Sequence, residues 1–137
     1  MADLTPIYEV LGQAGEHPRL TPGRLCLQLQ QHLSGRLAFN ELTLEPEIDS
    51  QRIPVHAVDT LYVALSERGW SIDKVKAKDA LVRAARANSY HPVAVYLEHV
   101  AADEGIEPVD LTTLATDYLG TADRLYDEML AATLIGA

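Results

Sequence analysis

The feature that most restricts the fold of this chain is the recurrence of apolar residues at helical spacing, in segments bounded by proline and glycine. One such face comprises Val93, Tyr96, Leu97, Val100 and Ala101. Pro92 suits the first turn of this helix, because its missing amide proton would have no partner there. Gly105 is a plausible end. These signals predict an α-helix with one buried face.

Two more helices are predicted downstream. The first has Asp110 as a candidate N-cap and ends at Gly120, with an apolar face formed by Leu111, Leu114, Ala115 and Tyr118. The second opens at Thr121, a good N-cap, and is expected to bury Leu125, Met129 and Thr133.

Upstream, a stripe of mostly small side chains predicts a helix that a neighbouring helix can approach closely; it comprises Ala77, Ala80, Leu81, Ala84, Ala85 and Asn88. Another helix is predicted between His56 and Arg68, with Gly69 at its end. A third begins at Thr21-Pro22 and carries Leu25, Leu29 and Leu33.

The interval from Arg36 to Ile53 has a different period. Leu37 and Phe39 alternate with polar or small neighbours, and so do Leu42 and Leu44, while Asn40-Glu41 offers a two-residue turn. Pro46 and Pro54 would keep the strands short. The pattern predicts a small antiparallel β-hairpin near residues 36–53.

These elements predict a mainly α fold, a bundle of five to seven helices with one hairpin. At 137 residues the chain has the length of one domain, and we expect it over 21–137. Residues 1–20, with Pro6, Gly12, Gly15 and Pro18, predict a short helix and a linker. No apolar run approaches the roughly 18 to 20 residues of a membrane span and no secretory signal is visible, so we expect a cytoplasmic location.

Charge is unevenly distributed along the chain. The formal net charge of −9 disfavours a stand-alone nucleic-acid binder, because it repels the phosphate backbone. Residues 1–67 carry 4 basic and 9 acidic side chains, residues 68–91 carry 6 and 2, and residues 92–137 carry 1 and 9. The middle segment is therefore the only place where the local field would attract an anionic ligand.

The sequence lacks the motifs of several enzyme classes, including a Walker loop, G-x-S-x-G, H-E-x-x-H, C-x-x-C and G-x-G-x-x-G. Cys26 lies in an apolar helical pattern and is interpreted as a buried structural thiol. His99 and Asp103 are one helical turn apart, but two ligands do not complete a zinc site. We therefore expect no catalytic residues, no cofactor and no metal in this chain.

The predicted binding site lies in the basic segment, residues 68–91. Its cations are placed on one helix, which ends in a segment where Tyr90 could stack on an unpaired base. The predicted single-stranded DNA site comprises Lys74, Lys76, Lys78, Arg83, Arg86, Tyr90 and His91. The alternative is an ordinary solvent-facing helix surface, with the cations paired to Asp73 and Asp79. For His91-Pro92, the alternative is a helix-to-helix corner.

Several motifs together resemble the virulence-associated protein E family of plasmid and phage replication ATPases, which are often joined to a primase. The resemblance spans about Arg24 to Ala137 and rests on Phe39-Asn40-Glu41, Ala87-Asn88-Ser89-Tyr90-His91-Pro92-Val93, Tyr96-Leu97, Asp117-Tyr118-Leu119-Gly120 and Leu134-Ile135-Gly136-Ala137. The segment Asn-x-Tyr-His-Pro is the most specific of these.

The resemblance implies a helical region that precedes a P-loop helicase-type ATPase domain. It also implies that the chain stops just before that motor, so we expect a piece of a longer protein or an unusually short relative. Where family members commonly carry Trp-Asp-Gly and a basic residue, this sequence has Ala102-Asp103-Glu104-Gly105-Ile106. That departure weakens the transfer of a nucleic-acid contact to this loop.

Two classes of function stay open from the sequence. The first is a non-catalytic module of a mobile-element DNA replication protein that assists an adjoining ATPase or primase and binds single-stranded DNA weakly. The second is a protein–protein interaction or oligomerisation module, or a small acidic phage regulator, that contacts no nucleic acid. Neither involves a membrane.

Overall fold

The computed structural model describes residues 2–15 and 19–136, and it divides into two compact units, Met1–Leu97 and Glu98–Ala137. This differs from the single domain predicted over 21–137. The described residues form eight helices: α1 (Thr5–Tyr8), α2 (Pro22–His32), α3 (Val55–Asp59), α4 (Leu61–Glu67), α5 (Lys74–Arg86), α6 (Pro92–Ala102), α7 (Leu114–Leu119) and α8 (Arg124–Ile135). The mainly α prediction is confirmed.

The predicted hairpin is one part of a larger sheet. Four strands are ordered β3-β2-β1-β4 among the described residues: β1 (Leu37–Asn40), β2 (Glu45–Ile48), β3 (Gln51–Arg52) and β4 (Ser89–Tyr90). β1 and β2 are antiparallel, as are β2 and β3, whereas β4 runs parallel to β1. The prediction of a helical bundle with one hairpin is therefore wrong, because two-residue strands are too short to leave an alternating pattern.

The turn between β1 and β2 also differs from the predicted Asn40-Glu41 turn. Four residues, 41–44, connect the strands. The Asn40 side-chain oxygen accepts hydrogen bonds from the amides of Leu42 and Thr43, at 3.0 and 3.2 Å. An asparagine at this position mimics a backbone turn. Leu42 and Leu44, predicted on a strand, are consequently exposed in the turn.

The core of the first unit lies where α2, α4 and the sheet meet α5. The predicted start of α2 at Thr21-Pro22 is confirmed, and the Thr21 hydroxyl caps the helix by accepting from the amide of Arg24 at 3.3 Å. Leu25 and Leu29 are fully buried, as their helical spacing predicts. Cys26 is only half-buried, so the prediction of a buried thiol holds in part.

The predicted end of the next helical region at Gly69 is confirmed, but a break inside that region escapes the sequence analysis. The helix predicted from His56 to Arg68 is broken at Thr60, whose hydroxyl donates to the carbonyl of His56 at 2.7 Å. The chain then turns at Gly69, where φ is +86° and an added Cβ would lie 3.0 Å from the Cβ of Ala14. Glycine is the residue that this backbone favours.

The N-terminal segment, predicted as a short helix and a linker, contains α1 and contributes to the first unit. Ile7 of α1 is buried in the core cluster, and Leu20 is buried with it. The Trp70 indole donates to the carbonyl of Gly12 at 3.1 Å. Pro18, part of the predicted linker, lies outside the described residues.

The second unit contains α7 and α8, and both begin later than predicted. α7 has Thr113 as its N-cap rather than Asp110, whose carboxylate instead accepts from Thr112. The N-cap of α8 is Asp123 rather than Thr121, and its carboxylate accepts from the amide of Leu125. The predicted end at Gly120 is confirmed, with φ of +68°. Across the described ranges, no helix has the length and apolar character that a bilayer crossing requires.

Candidate functional site

The predicted DNA site begins on α5, whose buried face holds the helix in place. The stripe of small residues is confirmed as a packing surface by the burial of Ala77, Ala80, Leu81, Ala84 and Ala85. Small side chains let α2 and the sheet approach α5 closely. Asn88 lies beyond the end of the helix, where its side-chain amide donates to the carbonyl of Leu37 at 3.2 Å. The cations of α5 therefore have fixed positions on the remaining surface.

Two of the predicted lysines are paired with carboxylates. Lys76 lies 3.0 Å from Asp73, and Lys78 lies 3.1 Å from Asp59. The hydrogen bond from Lys78 lowers the pKa of Asp59, so that carboxylate stays charged beside it. All four side chains are at least partly exposed, where an ion pair contributes little to stability. The pairs nevertheless offset the charge that a phosphate would meet.

The arginines on α5 differ in their surroundings. The Arg86 guanidinium lies 4.4 Å from the centroid of the Phe39 ring, a cation–π distance. Arg83 makes no ion pair or aromatic stack with the described residues, and neither does Lys74. Asp79 is three residues after Lys76 and four before Arg83, so its carboxylate occupies the same face of the helix. A phosphate placed between those cations would meet a negative charge.

Tyr90 is engaged in a hydrogen-bond network with a buried carboxylate. Its hydroxyl donates to Oε2 of Glu47, and the Asn40 amide donates to Oε1 at 2.8 Å. Glu47 is only 8% exposed. The hydrogen bond to Glu47, together with desolvation, raises the pKa of Tyr90 above its ordinary value. The tyrosine thus links β4 to the interior of the sheet, and its hydroxyl is not free for a base.

His91 lies at the corner between β4 and α6. The predicted corner is present, but it joins a strand to a helix rather than two helices. The ring of His91 is partly buried, and its Nδ1 has no hydrogen-bond partner among the described residues. The carbonyl of His91 accepts from Val95 in the first turn of α6, at 3.0 Å.

Two of the motif segments quoted for the family resemblance meet in the sheet. Asn40 is paired with Tyr90 and Phe39 with Ser89 in the parallel register, and the amide of Glu41 donates to the carbonyl of Tyr90 at 2.9 Å. The Asn-x-Tyr-His-Pro segment therefore has a structural role, because the Asn88 side chain donates to Leu37 of β1 and the Tyr90 hydroxyl donates to Glu47 of β2.

The sequence analysis missed Glu47. Residues Pro46, Glu47 and Ile48 of β2 are all buried, so the strand shows no apolar–polar alternation that would place the carboxylate inside. Its burial is explained by two hydrogen-bond partners, Asn40 across the β1–β2 turn and Tyr90, which lies 43 positions later in the chain.

A second surface of interest lies between residues 92 and 136, where apolar side chains are exposed. No residue of α6 is buried, so the predicted burial of its apolar face is wrong. Leu125 and Met129 of α8, also predicted to be buried, are exposed as well. Within the described part of the second unit, the exposed large apolar residues are Ile106, Val109, Leu111, Tyr118, Leu119, Leu125, Tyr126, Met129, Leu134 and Ile135.

In the second unit, one buried carboxylate joins α8 to α7. Asp127 of α8 accepts from the amide of Thr116 at 2.8 Å and from its hydroxyl at 2.7 Å. Thr116 is the third residue of α7, so Asp127 satisfies an amide that has no partner within that helix. These hydrogen bonds lower the pKa of Asp127.

A third feature is an open groove of about 330 Å³ in the first unit, between the β1–β2 turn and α5. Its floor is apolar, formed by Phe39, Pro46, Ile53, Val58 and Val82. Leu44 and Val55 stand exposed beside it, and the charged side chains that line it are Lys78, Arg86 and Glu45, the last paired with Arg52 at 2.6 Å. Leu44 has φ of +59°, and its amide donates to the carbonyl of Asn40 at 2.8 Å.

His99 and Asp103, the candidate metal pair of the sequence, have no third metal ligand beside them among the described residues. Within residues 2–15 and 19–136, no three His, Cys, Asp or Glu side chains come together as a metal site would require. The absence of a cofactor stays a prediction.

In comparisons with known proteins, no family model matches the sequence, no curated protein matches it, and no solved structure matches the fold. The resemblance to the virulence-associated protein E family therefore rests on the motif residues alone and stays a prediction.

Proposed function

We propose that this protein is a non-catalytic protein–protein interaction module, which offers the acidic, apolar surface of its second unit, residues 98–136, to a partner protein. The observation that carries the proposal is the exposure of nearly every large apolar side chain in this region; Tyr118 and Leu119, for example, are 71% and 68% exposed. Contiguous exposed apolar surface marks interaction sites in soluble proteins. Burial of such surface releases about 25 cal/mol per Å².

The charge of this surface indicates the kind of partner that it would bind. Residues 92–137 contain one basic and nine acidic side chains. A binding surface with apolar residues at its centre and lysine or arginine at its rim would complement both properties. The resemblance implies that an ATPase or primase domain of a plasmid or phage replication protein is one such partner. A cytoplasmic location accords with that role and stays a prediction.

The proposal is tested with the full chain, by sedimentation alone and in a mixture with an ATPase domain of the virulence-associated protein E family. We expect wild-type protein to associate in at least one of these experiments. A Leu119→Gln, Met129→Gln double variant should lose association, while Leu42→Gln, an exposed leucine of the first unit, should retain it. A wild-type chain that stays monomeric and ignores the ATPase domain would contradict the proposal.

Weak single-stranded DNA binding is a second candidate function. The observation in its favour is that Lys74 and Arg83 make no ion pair with the described residues. Titration of a labelled oligonucleotide at low ionic strength tests it, because phosphate contacts weaken as salt rises. Equal binding by wild type and a Lys76→Glu, Arg83→Glu double variant would remove this candidate.

A further inference from the structure

We propose that the groove between the β1–β2 turn and α5 binds the acidic, apolar second unit, residues 98–136, of a second copy of this chain. The inference rests on the proposed interaction function and names the partner and its binding site. The groove offers an apolar floor that includes Phe39 and Val82, flanked by the exposed Leu44 and Val55.

The turn presents Leu44 in a fixed position. The Asn40 side chain accepts from the amides of Leu42 and Thr43, and its backbone carbonyl accepts from Leu44. Leu44 is 70% exposed and adopts a left-handed backbone that leucine rarely takes. Burial of this side chain by a partner would therefore require little ordering of the turn.

The cations of the groove supply the specificity for an acidic occupant. Arg86 lies over the Phe39 ring at 4.4 Å and has no carboxylate within ion-pair distance among the described residues. Its planar guanidinium can form paired hydrogen bonds with an incoming carboxylate. Lys78 adds a second positive charge, shared with Asp59 at 3.1 Å.

Charge decides how two copies would associate. If residues 98–136 of one copy paired with the same residues of the other, each surface would face nine acidic side chains and one basic one. In the groove, Lys78 and Glu45 are paired with Asp59 and Arg52, whereas the positive charge of Arg86 has no ion-pair partner among the described residues. An acidic segment placed on this groove is attracted, whereas like-with-like pairing is repelled.

The ionic-strength dependence of self-association separates these two arrangements. We expect sedimentation equilibrium of the full chain to show association that weakens as sodium chloride rises, because salt screens opposite charges. Association that strengthens with salt would indicate like-with-like apolar pairing, and would overturn this inference while leaving the interaction function intact. A monomer that binds only the ATPase domain would have the same consequence, and a monomer that binds neither would contradict both proposals.

Substitutions in the groove locate the site. Arg86→Glu should raise the dissociation constant of self-association by at least about tenfold, and Arg83→Glu should have a much smaller effect. Arg83 is the matched control, since it is an exposed arginine of the same helix that does not line the groove. Equal effects of the two variants would overturn the assignment.

The Leu44→Gly variant distinguishes loss of the binding site from loss of the fold. Glycine favours the backbone of this position, so the variant should keep the thermal stability of the wild type. It should nevertheless associate more weakly by about tenfold. A Leu44→Gly variant that keeps both its fold and its wild-type association would show that the groove is not the binding site.

Discussion

The two units of this protein differ in how much of their apolar surface they bury. The described part of the first unit contains a cluster of nineteen buried hydrophobic residues from helices, strands and connecting segments. In the described part of the second unit, Ala115 is the one buried hydrophobic residue. Since burial of apolar area is the main favourable term in folding, the first unit has its own source of stability. The second unit lacks a comparable buried cluster, so its stability depends on polar contacts and on a partner that buries its exposed apolar faces.

The largest effect we expect comes from the core of the first unit. Leu29→Ala removes a fully buried side chain between α2 and α5 and should lower the free energy of unfolding by about 2–5 kcal/mol. Leu119→Ala in the second unit, at an exposed position, should change it by less than about 0.5 kcal/mol. Urea denaturation measures both. Similar losses for the two variants would mean that the second unit also contains a packed core.

Loss of the buried carboxylate should be the next largest effect. Glu47→Ala leaves the Asn40 amide and the Tyr90 hydroxyl without their acceptor inside the sheet. Each unsatisfied buried donor costs about 1–3 kcal/mol, so we expect a loss of a few kcal/mol in urea denaturation. Tyr90→Phe, which removes one donor and leaves the carboxylate bonded to Asn40, should cost less. If Glu47→Ala lowers the free energy of unfolding by no more than Tyr90→Phe does, the network does not stabilise the first unit.

The same network predicts a dependence on alkaline pH. The pKa of Tyr90 is raised above its ordinary value of 10.0, first by the hydrogen bond to Glu47 and then by desolvation. The protonated phenol is therefore favoured in the folded state. Its stabilising contribution is complete below the unfolded pKa and is lost as pH rises through the folded pKa. Burial also raises the pKa of Tyr8, so ultraviolet titration should show late ionisation of both tyrosines, and Tyr90→Phe should reduce the amplitude of this late phase without abolishing it.

A smaller effect, confined to the second unit, should follow from Asp127. Asp127→Ala removes the acceptor for the amide and hydroxyl of Thr116, so amide exchange in α7 and α8 should accelerate. The lowered pKa of Asp127 means that its contribution is present above the unfolded value of about 3.8 and is lost as pH falls through the folded pKa. Glu107→Ala, at an exposed position with no side-chain hydrogen bond or ion pair to the described residues, is the control for general loss of acidic charge. Unchanged exchange in α7 of Asp127→Ala would show that its hydrogen bonds do not hold the two helices together.

The contrast between the units also explains which predictions from sequence succeed. α2 and α5 follow from their periodicity, because the faces predicted to be apolar are the faces they bury. The same rule applied to α6 and α8 identifies helices but not burial, since periodicity reveals an apolar face without revealing what covers it.

The sheet and the candidate site were less accessible to prediction. β4 has two residues and pairs with a strand about fifty positions earlier in the chain, and this long-range register leaves no local pattern. The basic residues of α5 were found from charge alone. Their pairing with Asp59 and their stacking on Phe39 depend on neighbours that only the tertiary fold brings close.

The smallest effect on stability that we expect concerns Leu44, where the first unit resembles the second in exposing a large apolar side chain. A leucine with φ of +59° costs about 1 kcal/mol relative to glycine, so Leu44→Gly should leave the free energy of unfolding unchanged or raise it by up to about 1 kcal/mol. Leu25→Gly in α2, a buried leucine with a helical backbone, should be severely destabilised in the same urea experiment. A marked loss of stability in Leu44→Gly would mean that this side chain supports the fold of the turn. The leucine would then be part of the first unit's own packing, and its exposure would no longer indicate a surface kept for a partner.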